Sequence, residues 1–238
     1  MTPIAAGGLI AAGEGSRLAS FGRPKPLVEV AGVPLLARVL SNFEAAGIAR
    51  VAIIFNENEE DCAAFARARF PDLVRTIVLR STPHSLESFR TILRISPPGR
   101  LLVATVDTIC APGDFAAFAR AAASAPEDET VLAVTPLVAD EKPLWVESDA
   151  DGRIRRVGGP SGDAVTAGIY AVSERARAKT PPSSLGRLRE YLGWLCEAGE
   201  PMRAVSIGKA VDVDRPEDVR LAEALLGGGA AVAAGGTA

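Results

Sequence analysis

Short apolar runs alternate along the chain with stretches whose apolar residues recur at helical spacing. Residues 4–11, 50–55, 75–79 and 101–105 read as strands. Between them, residues 34–46 place Leu35, Leu36, Val39, Leu40 and Phe43 on one face, with Pro34 suited to a first turn and Gly47 to a stop. Residues 60–70 and 85–95 have the same period, the latter with the stripe Leu86, Phe89, Ile92 and Leu93. Such alternation predicts right-handed crossovers and a mostly parallel sheet. A helix over 115–123 and a strand over 130–136 continue it.

The pattern then changes. Residues 144–147 and 153–157 flank Asp151-Gly152, a hairpin turn signal. A strand over 165–172, a helix over 184–198, a short strand over 203–207 and a last helix over 215–226 follow. The expected fold is α/β: a mostly parallel central sheet flanked by helices, with a smaller β-rich subdomain in the second half. Residues 1–226 are expected to form one domain, and the Gly/Ala-rich tail 227–238 to be disordered. Gly7 and Gly8 are poor strand residues, and close packing of a neighbour is the reason that suits them.

Composition narrows the function classes. A chain of 238 residues, 48% hydrophobic and 23% charged, can bury a large core. A net charge of −3 with no basic face gives nucleic acid no footprint. No run reaches the roughly 18–20 apolar residues that span a bilayer. The apolar start lacks a basic flank and reads as a buried strand, not a signal segment. Cys62, Cys110 and Cys196 are odd in number and widely spaced, so they suggest reduced thiols in a cytoplasmic protein. With His84 the only histidine, a His-rich metal site or a Ser-His-Asp triad has no material.

The chemistry concentrates near the first strand. Ala11-Ala12-Gly13-Glu14-Gly15-Ser16-Arg17-Leu18 follows it, and Pro24-Lys25-Pro26-Leu27 comes soon after. Small residues and two glycines let a backbone approach a bulky anion, and the exposed N–H groups of such a turn form a concave anion site. Arg17 and Lys25 add positive charge, Lys25 held stiffly between two prolines. The dinucleotide fingerprint fails because Leu18 stands at its third glycine, and the P-loop pattern is absent. Asp107 ends the fourth strand, where open α/β sheets bind ligands. In Val211-Asp212-Val213-Asp214-Arg215-Pro216-Glu217, Asp214 reads as a helix cap with Glu217 completing a capping box. That leaves Asp212 to join Asp107 as a magnesium ligand.

These segments, continuing through Val28-Glu29-Val30-Ala31-Gly32-Val33-Pro34, resemble the signature of the sugar-phosphate nucleotidyltransferases, also called NDP-sugar pyrophosphorylases. Val106-Asp107-Thr108 is similar to that family's first metal aspartate, Thr166-Ala167-Gly168-Ile169-Tyr170 to its substrate-side strand, and the segment from Val211 to Asp218 to its closing metal motif. Among the members, the small single-domain branch that makes CDP-inositol, or activates hexose, heptose or amino-sugar 1-phosphates, is most similar. The resemblance implies a Rossmann-like sheet and a Mg²⁺-dependent reaction. In it, an acceptor phosphate attacks the α-phosphorus of an NTP and pyrophosphate leaves. It also implies roles. Ala11, Ala12, Gly13, Glu14, Gly15, Ser16 and Arg17 hold the nucleotide, with Ser81 and Thr82, and with Arg80 and His84 near the base. Arg17 and Lys25 are the catalytic cations, Asp107 and Asp212 the Mg²⁺ ligands, and Thr166 and Gly168 line the acceptor side. Ser85 is read as the cap of the helix that follows it.

Two positions depart from that pattern. An E-K-P lysine is expected before the substrate strand, where this chain has Val157-Gly158-Gly159-Pro160, and Val106 replaces a usual glycine. Three rival readings stay open at this point: a molybdopterin-type nucleotidyltransferase, a glycosyltransferase using Asp212-Val213-Asp214 as a D-x-D site, and a nucleotide-binding module without turnover.

Overall fold

The first strand takes a close helix contact on each of its faces, and its glycines explain how. In β1 (Ala6–Ala11), a Cβ at Gly7 would meet the Phe43 ring at 2.8 Å, and one at Gly8 would meet Ile92 at 2.2 Å. Phe43 comes from α1 (Leu35–Ala45) and Ile92 from α3 (Ser85–Ile95), which lie on opposite faces of the sheet. The glycines therefore admit a large apolar side chain to each face of β1. The coordinates, a computed structural model, describe residues 3–137 and 142–228.

A hairpin of β2 (Glu29–Val30) and β3 (Val33–Pro34) leads into α1. Then follow β4 (Arg50–Phe55), α2 (Glu60–Arg69), β5 (Val74–Leu79), α3, β6 (Leu101–Thr105), β7 (Thr108–Cys110), α4 (Pro112–Ser124) and β8 (Thr130–Thr135). The second half supplies β9 (Trp145–Ser148), β10 (Ile154–Val157), β11 (Ala164–Val172), α5 (Glu174–Arg177), α6 (Leu188–Glu197), β12 (Met202–Ser206), β13 (Ala210–Asp212) and α7 (Pro216–Gly228).

Through the main sheet the order is β5-β4-β1-β6-β11-β8-β12, and every neighbouring pair is parallel except those made by β11. The β9–β10 hairpin joins the first residues of β11, so the β-rich half is an extension of the same sheet. Along β11 the pairing with β8 slips between Thr166 and Tyr170, and there β11 exchanges β9 for β6 on its other edge. Helices α1, α2, α4 and α7 bury apolar residues on one face of the sheet, and α3 and α6 on the other.

The β1–α1–β4 connection moves to one side of β1, while β6 lies on its other side. The order in which strands are added thus reverses at β1, and a crevice opens between the carboxyl ends of the parallel β1 and β6. The backbone N–H of Val106 donates to the carbonyl of Ile10 at 3.0 Å, which sets Asp107 beside Ala11 and Ala12.

Some boundaries moved for local reasons. The helix expected from residue 184 begins at Leu188, because the N–H groups of Gly186 and Arg187 donate to the Glu190 carboxylate instead of continuing the helix upstream. Gly227 and Gly228 belong to α7, so the expected tail starts no earlier than residue 229, and its remainder lies outside the described residues.

Candidate active site

Lys25 is the centre of the site. It opens a short 3-10 turn, Lys25–Leu27, with Pro24 before it and Pro26 within it. The side chain is only 8% exposed, and its Nζ donates to Asp107 Oδ2 at 2.6 Å and to Asp214 Oδ1 at 2.5 Å. Burial alone would lower the pKa of this ammonium, but the two carboxylates outweigh it and hold the pKa above the usual lysine value. Burial would likewise raise Asp107, yet Lys25, with a hydrogen bond from the Thr105 hydroxyl, keeps that carboxyl below its usual range.

The glycine loop wraps this lysine. Gly15 has φ +59°, and a Cβ there would lie 2.6 Å from Lys25 Cβ, so a larger residue would push the loop off the lysine stem. Gly13 has open space around it and an ordinary backbone, so packing gives no reason for its lack of a side chain. Its bare, exposed backbone suits the approach of an anion. Arg17 stands at the mouth, 60% exposed, 3.6 Å from Asp214 Oδ2. An exposed pair at that distance contributes little to stability, so Arg17 can turn to another anion cheaply.

A short ribbon that the sequence pattern did not reveal assembles the acids. β7 pairs with β13 in antiparallel register, with Thr108 opposite Asp212, and the Val213 N–H donates to the Asp107 carbonyl at 2.9 Å. The Thr108 hydroxyl donates to Asp212 Oδ1 at 2.9 Å and lies 2.9 Å from the Thr105 hydroxyl. Asp107 and Asp214 therefore meet across Lys25, while Asp212 is bonded into the threonine pair. The capping box expected between Asp214 and Glu217 does not form. In α7 it is Asp218, not Glu217, that reaches back: its Oδ2 accepts from the N–H groups of Asp214 and Arg215. With that end of the helix served, the Asp214 carboxylate faces Lys25.

Gly168 closes over this ribbon. Its φ is +66°, and a Cβ would fall 1.9 Å from the Thr108 hydroxyl and 2.8 Å from that of Thr105. Gly168→Ala is expected to cost about 2–4 kcal/mol through left-handed strain and displacement of the threonines. Thermal unfolding measures this, and a melting point equal to that of the unaltered protein would show that the contact yields freely.

The remaining expected residues divide. Ser81 and Thr82 follow β5: Ser81 Oγ lies 3.4 Å from Asn56 Oδ1, and Thr82 Oγ1 lies 2.6 Å from Ser88 Oγ. Ser85 is not the cap of α3. Its Oγ accepts the N–H of Leu188, at the start of α6. At the turn where the second lysine was expected, Arg156 folds over Gly159 and donates to Glu147 and to the carbonyls of Gly158 and Ser161. Cavities of about 550 and 830 Å³ lie away from this crevice, near the start of β6, and one of them borders the start of β1.

A family model described as the MobA-like NTP transferase domain matches residues 7–177, a span that runs from β1 through α5 and includes Lys25 and Asp107. The chain belongs to the MobA-like NTP transferase family. This NTP transferase chain is 30% identical over 239 residues to the "Bifunctional IPC transferase and DIPP synthase" of Rubrobacter xylanophilus, a match covering 94% of the chain and 52% of that protein. It thus spans about half the length of that relative. It is 28% identical over 253 residues to the 3-deoxy-manno-octulosonate cytidylyltransferase of Afipia carboxidovorans, covering 89% of the chain and 94% of that protein. Among solved structures, the inositol-1-phosphate CTP transferase of T. maritima superposes with a TM-score of 0.80 at 16% identity, over 94% of this chain and 97% of that one. At that identity the likeness speaks for the fold, a mixed α/β sheet of the nucleotidyltransferase type.

Which of these groups can hold a metal follows from donor chemistry. Asp107 Oδ2 and Asp214 Oδ1 converge on one cationic atom. Two hard carboxylate oxygens sharing a cation suit Mg²⁺, which takes one or two carboxylates and completes its shell with phosphate and water. Among the described residues no three or more His, Cys, Asp or Glu side chains cluster as for a metal, so phosphate oxygens and water would have to supply the rest of the shell.

Proposed function

We propose that this NTP transferase couples an NTP, CTP in particular, to the phosphate of a small sugar or polyol, with Mg²⁺ as cofactor and pyrophosphate as the second product. The observation that carries the reading is the convergence of Lys25, Asp107 and Asp214 at the open end of the glycine loop, within the crevice between β1 and β6. The cytidylyltransferase name of the Afipia relative, matched over nearly its whole length, supports CTP. The transferase name of the Rubrobacter relative and the inositol 1-phosphate of the T. maritima fold neighbour support a polyol or sugar phosphate as acceptor.

In this reading the backbone amides from Gly13 to Arg17 bind the triphosphate, and Arg17 turns from Asp214 to the β- and γ-phosphates. Lys25 directs its ammonium at the α-phosphate and stabilises the charge that builds up as the acceptor oxygen bonds to α-phosphorus. The bond from α-phosphorus to the bridging oxygen breaks, and pyrophosphate leaves with the electron pair. No side chain acts as a nucleophile, because alignment and charge neutralisation suffice. Asp107 and Asp214 would hold Mg²⁺, which when bound would screen the repulsion between attacking and target phosphates. Thr166 and Gly168, on β11 beside the threonine ribbon, border the acceptor.

A pyrophosphate-release assay over the four NTPs and a panel of sugar, polyol and choline phosphates tests this. CTP with a sugar or polyol phosphate is expected to exceed every other pairing by about tenfold, a discrimination of roughly 1.4 kcal/mol. Release with none of these acceptors, but with a molybdopterin acceptor, would replace the reading, as would consumption of a nucleotide sugar without pyrophosphate.

A further inference from the structure

Lys25, assigned above to the triphosphate, is already engaged without one. Its ammonium bridges Asp107 and Asp214 at 2.6 and 2.5 Å, and its side chain is 8% exposed. An ammonium so placed occupies the position from which a divalent ion would touch both carboxylates. We infer that Lys25 is a placeholder for the metal: it holds Asp107 and Asp214 together in the nucleotide-free protein and releases them only when a divalent cation replaces it. The inference rests on the reading of the site given under Proposed function.

The physical case is direct. Two carboxylates brought to one point repel each other and would part, or one would take a proton, unless a cation lay between them. Lys25 supplies that cation from within the chain. Its backbone is fixed by Pro24 and Pro26, so an exchange moves only the four-carbon stem and its ammonium, the flexible part of a lysine. Arg17, at 60% exposure on the outer oxygen of Asp214, adds a second and weaker competitor. The arriving ion must therefore displace an internal cation, so metal binding by the free protein is weak. A metal-bound triphosphate changes both sides of the exchange. Its oxygens complete the ion's shell, and they offer the displaced ammonium a new partner. Metal and nucleotide then bind with positive coupling, and Lys25 reaches the α-phosphate only in the loaded site.

Two measurements on the nucleotide-free protein test this, neither reading turnover. The first is Mn²⁺ binding, followed by the electron-spin resonance of the free ion. Lys25→Met is expected to bind Mn²⁺ about tenfold tighter than the unaltered protein or better, because the main competitor is gone and only the exposed Arg17 stays beside Asp214. Adding Asp214→Asn is expected to abolish the gain. Equal or weaker binding by Lys25→Met would overturn the inference. The second covers the case in which Lys25→Met fails to fold. In the unaltered protein, acetylation of Lys25 relative to Lys209, read by mass spectrometry, should rise severalfold when Mg²⁺ is added. Labelling that stays flat across the Mg²⁺ titration would equally overturn it. Normal Mn²⁺ exchange without pyrophosphate release from any NTP would sink the proposed activity and leave the placeholder standing, whereas the converse pair of results would sink the placeholder alone.

Discussion

Lys25→Ala is expected to reduce pyrophosphate release by about 10²–10³-fold at saturating Mg²⁺ and CTP, the usual cost of removing one preorganised charge-stabilising group. The loss should fall on kcat more than on the apparent affinity for the nucleotide. The α-phosphate gains negative charge as the new bond forms, so the contact strengthens towards the transition state. Arg17 and the loop amides, which hold the rest of the triphosphate in this reading, are untouched. The substitution also leaves Asp107 and Asp214 facing each other without the cation between them, and only the exposed Arg17 beside Asp214. The metal-free protein should melt lower than the unaltered one and recover much of the difference in Mg²⁺. Steady-state kinetics together with melting curves at several Mg²⁺ concentrations separate the two effects. Turnover within about threefold of the unaltered protein, in a sample that melts normally, would remove Lys25 from the chemistry.

Much of the scaffold was legible because periodicity and burial agree. The stripes on α1 and α3 are buried where the pattern put them, and the Gly7-Gly8 pair has the steric cause that a glycine in a strand implies. The Gly15–Lys25 approach was also within reach: small residues at a strand's end, followed by a lysine locked between prolines, point to a loop folded over a fixed cation. The β7–β13 ribbon was not. Each strand has three residues, too few for any period to register, and they pair across about a hundred positions of sequence. The roles of Asp212 and Asp214 were hard to separate for a related reason. Residues two apart on an extended segment lie on the same side, so alternation cannot separate them. Cap logic decided instead, and it assigned the back-reaching acid to Glu217 when α7 begins so that Asp218 does that work. The missing second lysine remains a real difference, since Arg156, the neighbouring cation, is tied to Glu147 and the glycine turn.

The sharpest test of the acids compares Asp214→Asn with Asp212→Asn. Asparagine keeps the shape of aspartate and removes the charge, so each variant isolates electrostatics from packing. Asp214 shares Lys25 with Asp107, its side chain is 45% exposed, and it borders Arg17, so it stands where a ligand enters. Asp214→Asn is expected to raise the Mg²⁺ concentration needed for half-maximal turnover by about tenfold or more and to lower the maximal rate by about 10²-fold. Its melting point should move little in Mg²⁺-free buffer, because Asp107 still pairs with Lys25. Asp212 sits differently. Its carboxylate accepts from Thr108, whose hydroxyl contacts Thr105 beneath Gly168, and an asparagine oxygen can still accept that bond. Asp212→Asn should therefore leave the Mg²⁺ requirement near its original value and lower stability by about 1–2 kcal/mol, the scale on which hydrogen bonds weaken when their acceptor loses its charge. Both readouts come from one Mg²⁺ titration and one melting curve per variant. If the Mg²⁺ requirement followed Asp212 and ignored Asp214, the cation position between Asp107 and Asp214 would belong to Lys25 alone, and the metal would have to bind on the threonine side of the ribbon.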